Sequence, residues 1–253
     1  MVIDLRDAYF HLFMHKHSRK WLRFTWNSKA FQFRVLPFGL SLAPWLFTPV
    51  IREVVIVARQ RAIRLHVFLD DWLVLAPSLT LSKEHTTSLT TLARSLGFVL
   101  HPDKCSLTPS QTFTYLGMVF NTVDWTVRPT DDRLTRFTSL RDSLLLQQFA
   151  SARQLAMLMG QMESLAPLLP LGNLHKRPFQ RSFRTHWNQA TEGWDKLVPT
   201  SSWLRLSLEQ WLNEAWLLQG VPISRQEPQE ELYTDASCRG WGAHCGDHAV
   251  SET

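Results

Sequence analysis

The stretch HVFLDDWLVL at residues 66–75 places Asp70 and Asp71 between two apolar runs. A hairpin turn made of polar residues is the ordinary explanation for such a pair. The flanks, His66–Leu69 and Trp72–Leu75, instead predict strands that are buried on both faces. Two like charges held close in such surroundings repel each other unless a cation joins them, and Mg²⁺ is the hard cation that carboxylates and phosphate oxygens share.

A second source of carboxylate is Asp4, at the end of the apolar run Val2–Leu5, which predicts a short buried strand. A two-metal site needs carboxylates from separate strands that converge on one point. Asp4, Asp70 and Asp71 meet this requirement if their strands are neighbours in one sheet.

Five segments, two of which contain these aspartates, follow one another in a fixed order along the chain. Residues 2–12 read VIDLRDAYFHL, residues 33–47 FRVLPFGLSLAPWLF, residues 96–105 LGFVLHPDKC and residues 113–120 FTYLGMVF. Together with FLDDWL at residues 68–73, they resemble motifs A, B, D, E and C of reverse transcriptases. The LPFGL form and the later TDAS-x-x-GWGAH pattern resemble retrotransposon enzymes more than retroviral ones, and the DIRS-like elements are most similar.

The resemblance implies template-directed DNA synthesis with two Mg²⁺ ions, which Mn²⁺ can replace. It implies an RNA or DNA template with a DNA primer, and deoxynucleoside triphosphates as substrates. The roles that it implies are these: metal ligands and catalysis for Asp4, Asp70 and Asp71; leaving-group cation for Lys104; nucleotide contacts for Asp7, Ala8, Tyr9 and Phe38; primer grip for Leu116 and Gly117. A register shifted by one residue would give the role of Lys104 to Cys105. Phe38 stands where retroviral enzymes carry glutamine.

The segment LYTDASCRGWGAHCG at residues 232–246 resembles the opening of a type-I ribonuclease H, with Asp235 as its first metal-binding carboxylate. Cys238, Arg239 and Gly240 predict the turn between two strands. The later carboxylates, Asp247 and Glu252, come too soon to complete that site.

The chain of 253 residues is therefore expected to have an α+β fold. The resemblance divides it into a palm at 1–128, thumb-like helices at 129–166, a connection at 167–230 and a ribonuclease H start at 231–253. It implies a truncated enzyme without fingers, so we expect little or no polymerase activity from this chain alone. Two alternatives stay open: a protein classed as a ribonuclease H, and a non-catalytic nucleic-acid-binding remnant.

Local patterns predict the other elements. A hairpin is expected at residues 21–36 and helices at 43–61, 82–96, 131–149 and 150–165, with a linker at 223–231. Leu46, Val50, Val54 and Val57 define the predicted buried face of the first helix. The five tryptophans between residues 187 and 219 are expected to pack in a core.

Charge is distributed unevenly along the chain. The net charge of +5 combines +5 in residues 1–34, +1 in residues 35–127, +5 in residues 128–186 and −6 in residues 187–253. The two basic segments suit a polyanion such as nucleic acid, although uneven solvated surface charge is the plainer alternative. No apolar run reaches the ~18 residues of a membrane span, and residues 1–7 do not resemble a signal peptide, so an intracellular protein of the cytoplasm or nucleus is expected.

Cysteine and histidine clusters offer weaker signals. The three cysteines show no CxxC spacing, which favours a reducing compartment. Zinc binding at His11, His15 and His17 is a weaker hypothesis than a basic surface patch. A second zinc hypothesis concerns residues 238–248, where the spacing of cysteine and histidine fits no common ligand pattern and a strand–turn–strand structure needs fewer assumptions.

Overall fold

A computed structural model describes residues 1–200, 203–224 and 230–252. The chain divides into two compact units, Met1–Val221 and Pro222–Thr253. Helices and antiparallel strands both contribute, which confirms the predicted α+β composition.

The strands are β1 (Val2–Asp4), β2 (Arg23–Trp26), β3 (Lys29–Gln32), β4 (Arg64–Phe68), β5 (Asp71–Leu75), β6 (Thr112–Tyr115), β7 (Met118–Asn121), β8 (Thr126–Pro129), β9 (Phe149–Ser151), β10 (Leu197–Pro199), β11 (Val221–Pro222), β12 (Leu232–Ala236), β13 (Trp241–Cys245) and β14 (His248–Glu252). The α-helices are α1 (Ala43–Gln60), α2 (Leu79–Ser95), α3 (Asp131–Leu145), α4 (Ala152–Leu165), α5 (Gly172–His175), α6 (Arg177–His186), α7 (Leu204–Ser207) and α8 (Glu214–Gln219). Short 3₁₀ helices occupy Ala8–His11, Arg19–Leu22, Ala166–Leu168 and Gln210–Leu212.

The sheet that carries the paired aspartates has the order β1–β5–β4, with both pairings antiparallel. Strand β5 is buried on both faces as predicted, because Trp72, Leu73 and Val74 are all buried. The same prediction is wrong for β4, an edge strand whose Arg64 and His66 are exposed while Leu65 is buried. Burial of one face only is sufficient for a strand at the edge of a sheet.

One face of this sheet is covered by α1 and α2. Residues from both helices and from the sheet form one apolar core: Ile3, Leu5, Ala8, Phe47, Ile51, Val54, Ala58, Ile63, Leu65, Trp72, Val74, Leu89, Ala93 and Phe98. The predicted buried face of α1 is wrong for Leu46 and Val50, which are each 38% exposed, and confirmed for Val54, which is buried. The residues of α1 that pack against the sheet are Phe47, Ile51, Val54 and Ala58, and apolar residues lie on both sides of them on the helix surface. Helical periodicity alone therefore does not select the face that is buried.

The opposite face of the sheet receives the hairpin of β6 and β7. Tyr115 from this hairpin packs with Val2 and Leu73 in a small separate cluster. The cross-strand neighbours Phe113 and Phe120 stack with ring centroids 5.4 Å apart. The hairpin therefore rests on the two strands that carry Asp4 and Asp71.

A third core spans residues 134 to 217 and joins α3, α4, α6 and the segments that follow them. The helix predicted at 131–149 ends earlier, at Leu145, and the helix predicted at 150–165 begins later, at Ala152. The reason is that Phe149–Ser151 pairs as a strand with Leu197–Pro199. Helix α4 begins after a capping box between Ser151 and Gln154.

Three of the five tryptophans confirm the core prediction, because Trp187, Trp211 and Trp216 are at most 8% exposed. Each of their indole N–H groups donates to a backbone carbonyl, as burial requires. Trp203 is partly buried against the same core, whereas Trp194 is 40% exposed.

Two more predictions concern element bounds. Helix α2 begins at Leu79, three residues earlier than predicted, because the Ser78 hydroxyl accepts a hydrogen bond from the Leu81 N–H. The hairpin near the amino terminus is shorter than predicted: β2 and β3 enclose a turn of two residues, Asn27 and Ser28, both with positive φ.

The second unit is a meander of β12, β13 and β14. The predicted turn is confirmed, since the Ser237 N–H donates to the Gly240 carbonyl at 2.8 Å. Of the predicted linker at 223–231, residues 225–229 lie outside the described part of the chain.

Candidate functional site

The two strands that carry Asp4 and Asp71 are direct neighbours. In the antiparallel pairing of β1 and β5, Asp4 lies opposite Asp71, and the Leu5 N–H donates to the Asp70 carbonyl at 3.0 Å. Leu69 and Asp70 form the two-residue turn between β4 and β5, where Leu69 has a φ of +55°. A left-handed leucine is uncommon and is held only where its surroundings fix it, so the turn presents Asp70 and Asp71 in a defined backbone conformation.

Both paired carboxyls have raised pKa values. Burial raises the pKa of Asp4, which is 7% exposed, and the negative charge of Asp70 raises it further, while Lys104 and His101 act in the opposite direction. Burial also raises the pKa of Asp71, and Asp70 and Asp4 add to this effect. Burial is thus the main reason why both carboxyls hold their protons more tightly than usual, and the neighbouring aspartates add to it.

Lys104 is the cation that faces Asp4. Its Nζ lies 3.8 Å from the Asp4 Oδ2. Cys105 occupies a different place, because its Sγ accepts from the Asp4 N–H at 3.3 Å and donates to the Asp4 carbonyl at 3.4 Å. Of the two alternatives that the sequence left open, only Lys104 places a charged group beside the carboxylate.

The segment around Lys104 is bound to the same strand. The His101 N–H donates to the Asp4 carbonyl at 2.8 Å, and Ser106 and Val2 exchange two backbone hydrogen bonds of 2.8 and 3.0 Å. These bonds continue the sheet beyond β1, and they explain how a loop residue is held beside Asp4.

The residues implied in nucleotide contact lie on one side of this site. The Tyr9 ring is 5.0 Å from that of Phe38 and 5.5 Å from that of Phe47. Burial and the charge of Asp70 raise the pKa of the Tyr9 hydroxyl, which places Tyr9 within electrostatic reach of the turn. Of the two preceding residues, Ala8 is buried, and Asp7 is exposed with a φ of 51°.

The predicted primer-grip residues form the turn of the β6–β7 hairpin. Leu116 and Gly117 both have positive φ, as a tight two-residue hairpin loop requires. The preceding residue, Tyr115, donates its hydroxyl proton to the Asp71 carbonyl at 3.2 Å. Sequence reasoning did not identify this tyrosine, and its only signal was its place directly before the turn.

The carboxylates suit a divalent cation in their chemistry. Asp4 and Asp71 are oxygen donors that lie opposite each other on adjacent strands, and carboxylate oxygens are the ligands that Mg²⁺ prefers. Within the described ranges, no three His, Cys, Asp or Glu side chains are gathered as ligands of one ion. The pair Asp4 and Asp71 therefore fits a metal as a partial ligand set.

The residues of the two zinc hypotheses make other contacts. His11 lies within hydrogen-bond distance of the Ala8 carbonyl through Nδ1, and its Nε2 accepts from the Val99 N–H. His15 and His17 stack on each other, and His244 stacks on Tyr233.

Asp235 belongs to the second unit. It lies on β12 opposite Gly242, and its Oδ1 accepts from the Ala236 N–H at 2.8 Å. Its side chain is exposed, at the end of the strand where the sequence placed it.

The basic segment 128–186 divides into buried and exposed residues. The side chains of Arg141 and Lys176 are only 5% and 6% exposed, and they pair with Asp142 and Glu163. The sequence predicts phosphate contacts along the whole segment, and this prediction is wrong for Arg141 and Lys176 because both side chains are buried. By contrast, a groove of about 900 Å³ is lined by three arginines of α6 together with Trp203 and Leu206; the arginines are Arg177, Arg181 and Arg184.

None of the helices in the described ranges combines the length and the apolar character that crossing a membrane requires.

Comparisons with known proteins agree with this geometry. Residues 1–120 match the family model described as reverse transcriptase (RNA-dependent DNA polymerase). The Gag-Pol polyprotein of avian leukosis virus subgroup A (isolate RSA) is 32% identical over 129 residues, which cover 46% of this chain and 8% of the polyprotein. The genome polyprotein of Petunia vein clearing virus (isolate Shepherd) is 23% identical over 240 residues, which cover 95% of this chain and 10% of the polyprotein. The chain thus spans about a tenth or less of the length of these curated relatives.

A solved structure shows the same fold. The foamy viral protease-reverse transcriptase dRH in complex with double-stranded DNA matches with a TM-score of 0.72 and 16% identity. The match covers 99% of this chain and 42% of that one.

Proposed function

Because residues 1–120 match the reverse transcriptase family model and are similar to retroviral polyproteins, we propose that Asp4, Asp70 and Asp71 form the centre of an RNA-directed DNA polymerase. The observation that carries this proposal is the register of β1 and β5, which sets Asp4 opposite Asp71 beside the turn that holds Asp70. Asp4 and Asp71 are 67 positions apart in the chain, so local structure does not explain why their two carboxylates lie together, whereas a functional site would.

In the proposed reaction, the 3′-hydroxyl of a DNA primer attacks the α-phosphate of a deoxynucleoside triphosphate, and pyrophosphate leaves. Asp4 and Asp71, with Asp70, would hold two Mg²⁺ ions, or Mn²⁺ in their place. Bound metal supplies charge neutralisation and a more acidic attacking hydroxyl. The chain itself contributes position: the left-handed Leu69 and the Tyr115 hydrogen bond fix the backbone that presents the carboxylates.

The neighbouring residues divide the remaining tasks. Lys104 would offer positive charge and a proton near the leaving pyrophosphate, and its ion pair with Asp4 supports this role. Tyr9 and Phe38, in ring contact beside Asp70, would form the wall for the sugar of the nucleotide, with the backbone of Asp7 and Ala8 adjacent. Leu116 and Gly117 would contact the primer terminus.

The partner that we propose is an RNA or DNA template with a DNA primer. The solved relative is bound to double-stranded DNA. Exposed cations on this chain support the same class of ligand, above all Arg177, Arg181 and Arg184 along the groove of α6. Such contacts to phosphates are independent of sequence and weaken with salt.

Two finer assignments complete the proposal. Residues 231–253 would begin a ribonuclease H-like domain with Asp235 as its first carboxylate, since Asp235 lies at the end of a strand in a meander. The retroelement would be DIRS-like, on the strength of the LPFGL and TDAS-x-x-GWGAH patterns.

Metal-directed cleavage tests the site without requiring turnover. Fe²⁺ takes oxygen ligands in place of Mg²⁺ and, with ascorbate and peroxide, cuts nucleic acid near the bound ion. We expect end-labelled primer–template bound to the protein to be cut close to the primer 3′ end, and we expect Mg²⁺ to suppress the cutting. The variant D4N/D71N should bind nucleic acid but lose the cuts, whereas Glu53→Gln, at an exposed position of α1, should retain them. Binding without focused cutting in the unaltered protein would favour the non-catalytic remnant instead.

A further inference from the structure

The β6–β7 hairpin lies on the same face of the sheet as the carboxylates. Val2 and Asp4 alternate with Ile3 on β1, and Leu73 and Asp71 alternate with Trp72 on β5, so each pair shares one face. Val2 and Leu73 form the cluster that buries Tyr115. The tyrosine ring therefore packs on the cross-strand pair that is next to the pair Asp4 and Asp71 on the same face of the sheet.

The Tyr115 hydroxyl binds the residue that carries the catalytic charge. It donates to the Asp71 carbonyl at 3.2 Å, and the tyrosine is 7% exposed. Burial, followed by the charge of Asp71, raises the pKa of this hydroxyl, so it remains a donor at neutral pH. The next two residues along the chain are Leu116 and Gly117 of the turn.

Arg133, on α3, binds the other end of the same turn. Its Nη1 donates to the Gly117 carbonyl at 3.0 Å, and its Nη2 donates to the Ser164 carbonyl at 2.6 Å. Ser164 lies in the last turn of α4, where helix carbonyls have no partner within the helix. One planar guanidinium therefore joins the turn to two helices, a geometry that lysine cannot reproduce.

These bonds form one series from Asp71 through Tyr115 and the turn to Arg133 and α4. Neither Tyr115 nor Arg133 faces a carboxylate oxygen of the site in the contacts described, so neither is a catalytic residue. We propose that Tyr115 and Arg133 are positioning residues, which fix the turn Leu116–Gly117 relative to Asp71 and thereby set the nucleotide of a bound strand that meets the carboxylates. This inference rests on the proposed function, because it needs a strand end held at the turn.

The test is the position of Fe²⁺-directed cuts along an end-labelled primer–template bound to the full chain. The variants are Tyr115→Phe, which removes only the hydroxyl, Arg133→Gln, which removes both donors, and the two combined. Arg136→Gln is the matched control, because Arg136 lies on the same helix and, among the described residues, its hydrogen bonds and ion pair go to Asp132 of that helix. Affinity for the primer–template is measured in parallel, and thermal unfolding shows that each variant is folded.

We expect the cuts of the unaltered protein to centre on one nucleotide. In Tyr115→Phe and Arg133→Gln the cuts should shift or spread to neighbouring nucleotides, because the turn that holds the strand end is no longer fixed relative to Asp71. Affinity should stay within about twofold, and the combined variant should be no worse than either single one, since both break one series. Arg136→Gln should keep the centre even if its loss of charge weakens binding.

Two results are distinguishable failures. Cuts that stay centred in both variants overturn the positioning role and leave the proposed function intact. An unaltered protein whose bound primer–template gives no cuts that depend on Asp4 and Asp71 overturns the proposed function, and this inference with it. If Tyr115→Phe proves unfolded, Arg133→Gln decides alone, since its side chain is half-buried and forms no part of an apolar core.

Discussion

Asp4 and Asp71 face each other in register across two antiparallel strands, with Lys104 as the cation beside Asp4. A slip of one residue in this pairing would send one of the two carboxylates to the opposite face of the sheet, into the core under α1 and α2. The apolar neighbours Ile3 and Trp72, both fully buried, prevent that slip. The same alternation that builds the core therefore holds two like charges together.

The first prediction concerns stability and pH. The raised pKa values of Asp4 and Asp71 mean that the folded chain binds more protons than the unfolded chain above the ordinary carboxyl pKa of about 4. The free energy of unfolding should therefore fall as pH rises through the folded pKa values. Asp71→Asn should reduce this fall and should stabilise the chain at pH 7 by about 0.2–1 kcal/mol, the size of a repulsive cross-strand pair.

Urea unfolding between pH 4 and pH 8, with and without Mg²⁺, measures this effect. Mg²⁺ should stabilise the unaltered chain more than Asp71→Asn, and Glu53→Gln provides a control at an exposed carboxylate on α1. A stability that rises with pH over this range in the unaltered chain but not in Asp71→Asn would contradict the raised pKa values.

The second prediction concerns Lys104. Its ammonium group stabilises the charged form of Asp4 and opposes a divalent cation at the same oxygen. Lys104→Gln should therefore bind Mn²⁺ about two- to fivefold more tightly, the range that an exposed ion pair can contribute. Electron paramagnetic resonance of free Mn²⁺ measures the affinity. Lys83→Gln, at an exposed position of α2, is the matched control because it also removes one positive charge. Equal affinity in both variants would mean that Lys104 does not act on Asp4.

The carboxylates could be identified from the sequence because two adjacent charged side chains are not expected between apolar runs that predict buried strands. The sequence did not establish that β1 and β5 pair, since one α-helix, two 3₁₀ helices, a hairpin and β4 lie between them in the chain and no local pattern records which strands are neighbours. Tyr115 was missed for the same reason: its partner is the Asp71 carbonyl, and backbone acceptors leave no mark in a sequence.

Helix faces and ends show a related limit. The buried row of α1 runs through Phe47 and Ile51, but Leu46 and Val50 offer nearly the same period, and only packing against the sheet selects between them. Residues Phe149–Ser151 continue a helical pattern, yet they form a strand because Leu197–Pro199 pairs with them. In both places a distant segment decides the local structure.

The third prediction uses a pair of glycines in helices. A Cβ on Gly172, at the start of α5, would overlap with the Ala166 carbonyl oxygen, a contact that requires the backbone to move. Gly172→Ala should destabilise the chain by about 1–3 kcal/mol or more. Gly160→Ala, inside α4 with no atom within 4 Å of the added carbon, should instead stabilise it by up to about 1 kcal/mol. Urea unfolding of both variants measures the contrast, and a similar change in the two would contradict the close packing at Ala166.

The fourth prediction tests the contact between Gly117 and Arg133. Gly117 has a φ of +70°, and a Cβ there would lie 3.3 Å from the Arg133 Cδ; Gly97 has a φ of +86° and open space around it. Gly97→Ala should cost about 1–2 kcal/mol from backbone strain alone. Gly117→Ala should cost more, because the added methyl group also displaces the arginine that joins the turn to α4.

A double-mutant cycle isolates that extra cost. In a background of Arg133→Gln, the penalty of Gly117→Ala should fall toward that of Gly97→Ala, because the shorter side chain leaves room for the methyl group and the two carbonyl bonds are already lost. The penalty of Gly97→Ala should be the same in either background. If the cost of Gly117→Ala does not change when Arg133 is replaced, the arginine does not lie against the turn, and the link from α3 and α4 to the hairpin that touches Asp71 is lost with it.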